Sequence, residues 1–132
     1  MARAQASMEY LLILALALIL LIPIIAYLFQ ETSQSLRINQ AKDVVETVAK
    51  TADIVYALGP GNERTIRVNI PTGITNQAIV GTEVILYTNY KGMETDVHYS
   101  AKVSMSGDLP TEPGIYTLHL TLNSFGYVEV TY

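Results

Sequence analysis

The sequence predicts an α+β protein: a long N-terminal hydrophobic α-helix followed by a small antiparallel β domain, either a single sheet or a β-sandwich. Three observations lead there. Residues 10–29 are almost all Leu, Ile or Ala, and no charged side chain lies between Glu9 and Glu31. Residues 36–58 carry apolar side chains at helical spacing, and residues 63–132 hold short runs of apolar–polar alternation broken by Gly, Pro and Asn.

The bulk composition narrows the function. At 132 residues the chain has room for one domain plus the apolar segment. Its net charge of −4, without any Lys or Arg cluster to neutralise phosphates, argues against a nucleic-acid partner. The absence of Cys removes disulfides, thiolate chemistry and zinc ribbons together. Nine Tyr against two Phe and no Trp suit a half-buried β surface.

The apolar run dictates its surroundings. About 20 residues at 1.5 Å each span about 30 Å, the thickness of a bilayer's hydrocarbon core. Thirteen Leu and Ile lie between Leu11 and Leu28. At roughly 1.5 kcal/mol each, leaving them in water costs on the order of 20 kcal/mol. The segment therefore sits in lipid or among other apolar helices. Pro23 removes one helical hydrogen bond inside it and predicts a local kink.

The run is too long for the apolar core of a cleaved secretory signal, and Ala15-Leu16-Ala17, the one small-x-small motif within it, lies in its middle. Arg3 and the initiating amine are the only positive charges near this end, which favours a cytoplasmic N-terminus.

The residues just before the run carry the specific signal. Arg3-Ala4-Gln5-Ala6-Ser7-Met8-Glu9-Tyr10-Leu11 resembles the class III signal of archaeal type IV pilins, a short basic leader followed by Gln-x-Ser-x-Glu-Tyr-Leu. The resemblance implies a leader of residues 1–4, cut by a prepilin peptidase between Ala4 and Gln5, so that the helix stays on the mature chain. Family leaders usually end in Gly, whereas this one ends in Ala4. It further implies that Glu9, fifth in the mature chain, pairs with the new α-amino group of Gln5 during assembly, with Ser7 and Tyr10 completing the motif. Read without the family, Glu9 is a first-turn carboxylate stabilised by the helix dipole.

The helix either continues through the polar run Gln30-Glu31-Thr32-Ser33-Gln34-Ser35 or breaks briefly there, since its Ser and Thr are able to cap a new helix. Beyond it Ile38, Ala41, Val45, Val48, Ala52 and Val55 follow a 3-4 spacing, widened by Val44, Ile54 and Leu58. This stripe covers the β domain, which is too small to stand alone. Lys42–Glu46 and Glu46–Lys50 form i,i+4 charge pairs on the wet side. Gly59-Pro60-Gly61-Asn62 ends the helix.

Five strands are expected in residues 63–132, with a sixth at Ile79-Val80. The first alternates through Ile66, Val68 and Ile70 and turns at Pro71-Thr72-Gly73. A denser apolar strand over 83–90 reads as central. One long alternation joins Val97, Tyr99, Ala101, Val103 and Met105, another joins Tyr116, Leu118, Leu120 and Leu122, and a last hairpin turns at 123–126.

Chemistry is sparse. His98 and His119 fall on the polar faces of their strands, without the third ligand a zinc site needs. There is no nucleophile elbow or phosphate-binding glycine loop. The Asp108–Gly114 segment reads as a turn, and no Asn-x-Ser/Thr sequon is present. No enzyme activity, cofactor or metal is expected.

Two functions fit. The first is a pilin that polymerises through its N-terminal helix into an extracellular adhesive filament. The resemblance implies that it is stored first in the cytoplasmic membrane and handled by the prepilin peptidase and pilus assembly machinery. The second is an unpolymerised, single-pass signal-anchored β-type binding module outside the cell.

Overall fold

The computed structural model describes residues 2–132, with side chains from Ser7 onward. One helix, α1 (Ala2–Leu58), is followed by seven strands: β1 (Glu63–Ile70), β2 (Ile74–Val80), β3 (Glu83–Tyr90), β4 (Met93–Ser100), β5 (Met105–Gly107), β6 (Gly114–Leu122) and β7 (Val128–Thr131). The layout is the α+β arrangement of a long apolar N-terminal helix and antiparallel sheets.

The helix runs through the polar segment 30–35 without a break. Thr32 Oγ1 donates to Leu28 O and Ser33 Oγ to Phe29 O, each at 2.9 Å. Bonded back to the i−4 carbonyls, these hydroxyls are satisfied inside the helix and have no need to cap a new one. Helical backbone also continues past Pro23, whose missing N–H deprives the Ile19 carbonyl of its i+4 donor. The end is sharp. Gly59 adopts φ 91°, as a glycine just beyond a helix C-terminus commonly does. Asn62 Nδ2 then donates to the Leu58 and Gly59 carbonyls at 2.8 and 3.1 Å.

Leu36–Tyr132 is one of two compact units, so the amphipathic part of α1 belongs to the β domain. Its strands form a four-stranded sheet, β1-β6-β7-β5, and a three-stranded sheet, β2-β3-β4. All pairings are antiparallel except the short β5–β7 pair. Ala41, Val45, Val48, Ala52 and Val55 of α1 are fully buried in one cluster with Val84 and Leu86 of β3 and Leu118 and Leu120 of β6. Val44 widens the stripe as its spacing predicts, but Ile54 and Leu58 are exposed, and Ala49 and Thr51 are buried instead. At 100° per residue Ile54 lies about 120° round the helix from Val48, off the packed face.

Two strands differ from the expectation. β2 takes in Ile74–Val80 rather than residues 79–80 alone, because Asn76 and Gln77 mask its pattern. The alternation over 97–105 is not one strand. The Ala101 N–H donates to Thr82 O at 2.8 Å at the end of β4, and the Val128 N–H donates to Ser104 O at 2.9 Å where β5 begins. Between them the chain crosses from one sheet to the other. Ala101, Val103 and Met105 stay buried on the way, so the period of two survives although the ladder changes partner.

Candidate functional site: the exposed apolar helix

The feature that sets this chain apart is the first part of α1. Every side chain over residues 7–30 is exposed, including Leu11 at 62%, Ile19 at 65% and Phe29 at 71%. A helix this long and apolar is able to cross a membrane. The β domain completes its core without any of these residues. They are a surface waiting for an apolar environment.

The motif residues stand at the start of this helix. Met1 lies outside the described residues, and so do the side chains of Arg3, Ala4 and Gln5; the expected cleavage position and the Gln5 side of the expected assembly pair therefore lie outside the described side chains. The backbone of residues 2–10 is helical. Gln5 and Glu9 are thus one turn apart, on one face. Ser7, Glu9 and Tyr10 are all exposed. Pro23 lies 14 residues beyond Glu9, about 21 Å along a regular helix, so the two stand well apart on it.

Elsewhere the polar groups are explained by the fold. His119 Nδ1 lies 2.6 Å from Glu63 Oε1 and 3.3 Å from Thr65 Oγ1, across the β1–β6 pair. His98 Nδ1 lies 3.1 Å from Asp96 Oδ2 on its own strand. Among the described residues no three His, Cys, Asp or Glu side chains converge as metal ligands. In the 108–114 turn Leu109 is buried in the core and Asp108 Oδ1 accepts from Gln77 Nε2 at 3.1 Å, which ties the loop to β2. Glu46 and Lys50 form an ion pair on α1; the hydrogen bond and charge of Lys50 lower the Glu46 carboxyl and those of Glu46 raise the Lys50 amine.

The sequence did not reveal that Thr32 and Ser33 bond back to the Leu28 and Phe29 carbonyls inside a continuous helix. Their sequence signal is a hydroxyl four residues after an apolar residue, which is too common to point there. No family model, curated protein or solved structure matches this chain.

Proposed function

We propose that the protein is a structural subunit of an extracellular archaeal type IV pilus, serving surface adhesion. Its helices bundle through residues 10–29 as the filament core and display the β domains outside. The observation that supports this reading is the full exposure of the apolar run in the single chain, beside the Gln5-x-Ser7-x-Glu9-Tyr10 motif. Before assembly, lipid covers the run; afterwards, neighbouring helices do. The apolar environment is exchanged and never lost, so the cost of exposure to water is avoided. A carboxylate inside such a bundle is costly unless paired, which gives Glu9 and the amine of Gln5 the task of fixing subunit register. Pro23 gives the packed helices a point of local bending. The reading assigns no catalytic role to any residue.

The N-terminal mass of the protein in material sheared from cells tests it. A chain beginning at Gln5, recovered in fibres without detergent, is expected. A chain that retains the leader and occurs only in detergent-extracted membranes would instead identify a signal-anchored β module.

A further inference from the structure

Each sheet has two edge strands, β1 and β5 in the four-stranded sheet and β2 and β4 in the three-stranded sheet. β2 and β5 lie beside each other, and the Met105 N–H at the start of β5 donates to Gly81 O at 2.7 Å just past the end of β2. β1 and β4 are the two outer edges. The phase of each ladder shows which backbone groups are free. The Leu122 N–H donates to Asn62 O at 3.4 Å, at the end of the β1–β6 ladder. Residues that exchange bonds alternate with those that do not in an antiparallel pair. Arg64, Ile66, Val68 and Ile70 therefore turn their backbone groups to β6, and Glu63, Thr65, Arg67 and Asn69 turn theirs to the open side. The Ala101-to-Thr82 bond phases β3–β4 in the same way. On β4 the open side belongs to Glu94, Asp96, His98 and Ser100. All eight of these open-side residues are exposed.

The two edges match each other better than either matches itself. Both are eight residues long. Laid antiparallel over its full length on a second β1, the edge would set Glu63, with free groups, against Ile70, whose groups are already bonded. Two β4 edges fail in the same way, Glu94 against Tyr99. Only β1 against β4 puts free groups opposite free groups along all eight residues. Charge points the same way. β1 carries Arg64 and Arg67 against Glu63, a net of +1, whereas β4 carries Glu94 and Asp96 with no Lys or Arg, a net of −2.

We propose that β1 of one copy of this chain pairs antiparallel with β4 of the next, Glu63 opposite Ser100 and Ile70 opposite Met93. This register sets Thr65 against His98, Arg67 against Asp96 and Asn69 against Glu94. On the core-facing side Ile66 meets Val97, and Met93, 67% exposed in the single chain, meets Ile70. A slip of one residue sets free groups against bonded ones and core-facing side chains against solvent-facing ones. A groove of about 240 Å³ lies beside this edge, between Gln40, Asp43 and Thr47 of α1 and Arg67 and Asn69 of β1. The contact joins unlike surfaces and leaves one free β1 and one free β4 at its ends, so it adds further copies beyond a dimer, in an open chain or a closed ring. Only residues of Leu36–Tyr132 take part. The inference therefore goes beyond the pilin reading and applies equally to β domains displayed on a membrane.

The absence of Cys in the sequence makes the test clean. The full chain carrying Thr65→Cys and His98→Cys, oxidised in detergent micelles, is expected to give a ladder of disulfide-linked multimers on a non-reducing gel. Thr65→Cys and His98→Cys variants mixed with each other should stop at dimers. Thr65→Cys with Ser124→Cys, on the β6–β7 turn, measures random collision, and a paired-variant ladder no stronger than this control overturns the proposal. Adding Arg67→Glu to the paired variant should weaken the ladder about fivefold, the effect of roughly 1 kcal/mol from like charges placed opposite each other. Adding Asp96→Arg as well should restore it. If Arg67→Glu leaves the ladder unchanged, or Asp96→Arg fails to restore it while circular dichroism shows a native β signal, the register is wrong.

Discussion

Asp53 on α1 accepts a hydrogen bond from the backbone N–H of Lys102 at 2.7 Å, across 49 residues of sequence. Lys102 lies in the short crossover between β4 and β5, where the chain leaves one sheet for the other. A helix carboxylate thus fixes the point at which the two sheets join.

Removing that carboxylate should loosen the crossover. Asp53→Ala is expected to cost about 1.5–3 kcal/mol, the usual range for a lost hydrogen bond to a charged group. Asp53→Asn, which keeps an acceptor, should cost less. Urea unfolding of the detergent-solubilised chain checks the first point, and faster exchange of the Lys102 amide checks its location.

Gly107 ends β5 at φ 122°, and a Cβ there would lie 2.0 Å from the Val130 carbonyl oxygen. Gly107→Ala should therefore break the parallel β5–β7 pair and cost at least about 2 kcal/mol. Gly126 has φ 86° but open space around it, so Gly126→Ala should cost only about 1 kcal/mol of backbone strain. Comparing the two thermal midpoints separates collision from strain.

Core and surface leucines should part company. Leu118 is fully buried under α1, and Leu118→Ala is expected to cost about 2–5 kcal/mol. Leu58 is 55% exposed at the helix end, so Leu58→Ala should stay within about 0.5 kcal/mol. Equal losses in denaturant titrations would mean that the stripe extends to the helix end after all.

The Glu46–Lys50 pair should show in the pH dependence of stability. Lys50 holds the Glu46 carboxyl below its ordinary 4.5, so this contribution is present above 4.5 and is lost as pH falls through the lowered value. Glu46 holds the Lys50 amine above its ordinary 10.5, so that contribution is present below 10.5 and is lost as pH rises through the raised value. Both groups are on the surface, so the effect is small. Lys50→Gln should flatten the acid limb of a melting-temperature profile; an unchanged limb would leave the pair without a stabilising role.

Glu9→Ala should still insert in the membrane, since the 20 apolar residues after it are untouched, but few filaments should follow. Electron microscopy of sheared material counts them, and a wild-type yield would remove Glu9 from assembly.

Much of this protein was legible in one dimension. The 3-4 spacing from Ile38 to Val55 marked the helix face, Gly59-Pro60-Gly61-Asn62 marked its end, and alternation marked Tyr116 to Leu122. Such signals are local, because helices and strands repeat their environments at fixed intervals. Around 97–105 alternation alone misled, since burial repeats every second residue whether or not the backbone keeps one partner. Ile54 misled for another reason: its helical phase, about 120° from Val48, puts it off the packed face although it is apolar.

What the sequence determined by itself is the apolar run with its motif from Arg3 to Leu11, since a span of uncharged residues fixes its solvent wherever it lies in space. What only the tertiary structure decided is which strands stay open. Strand order is a matter of distant pairing, and nothing within Glu63–Ile70 or Met93–Ser100 says that another strand will not cover it. Folding leaves these two edges uncovered because β6 and β3 each satisfy only one side of their neighbour, whereas the other two edge strands, β2 and β5, lie beside each other.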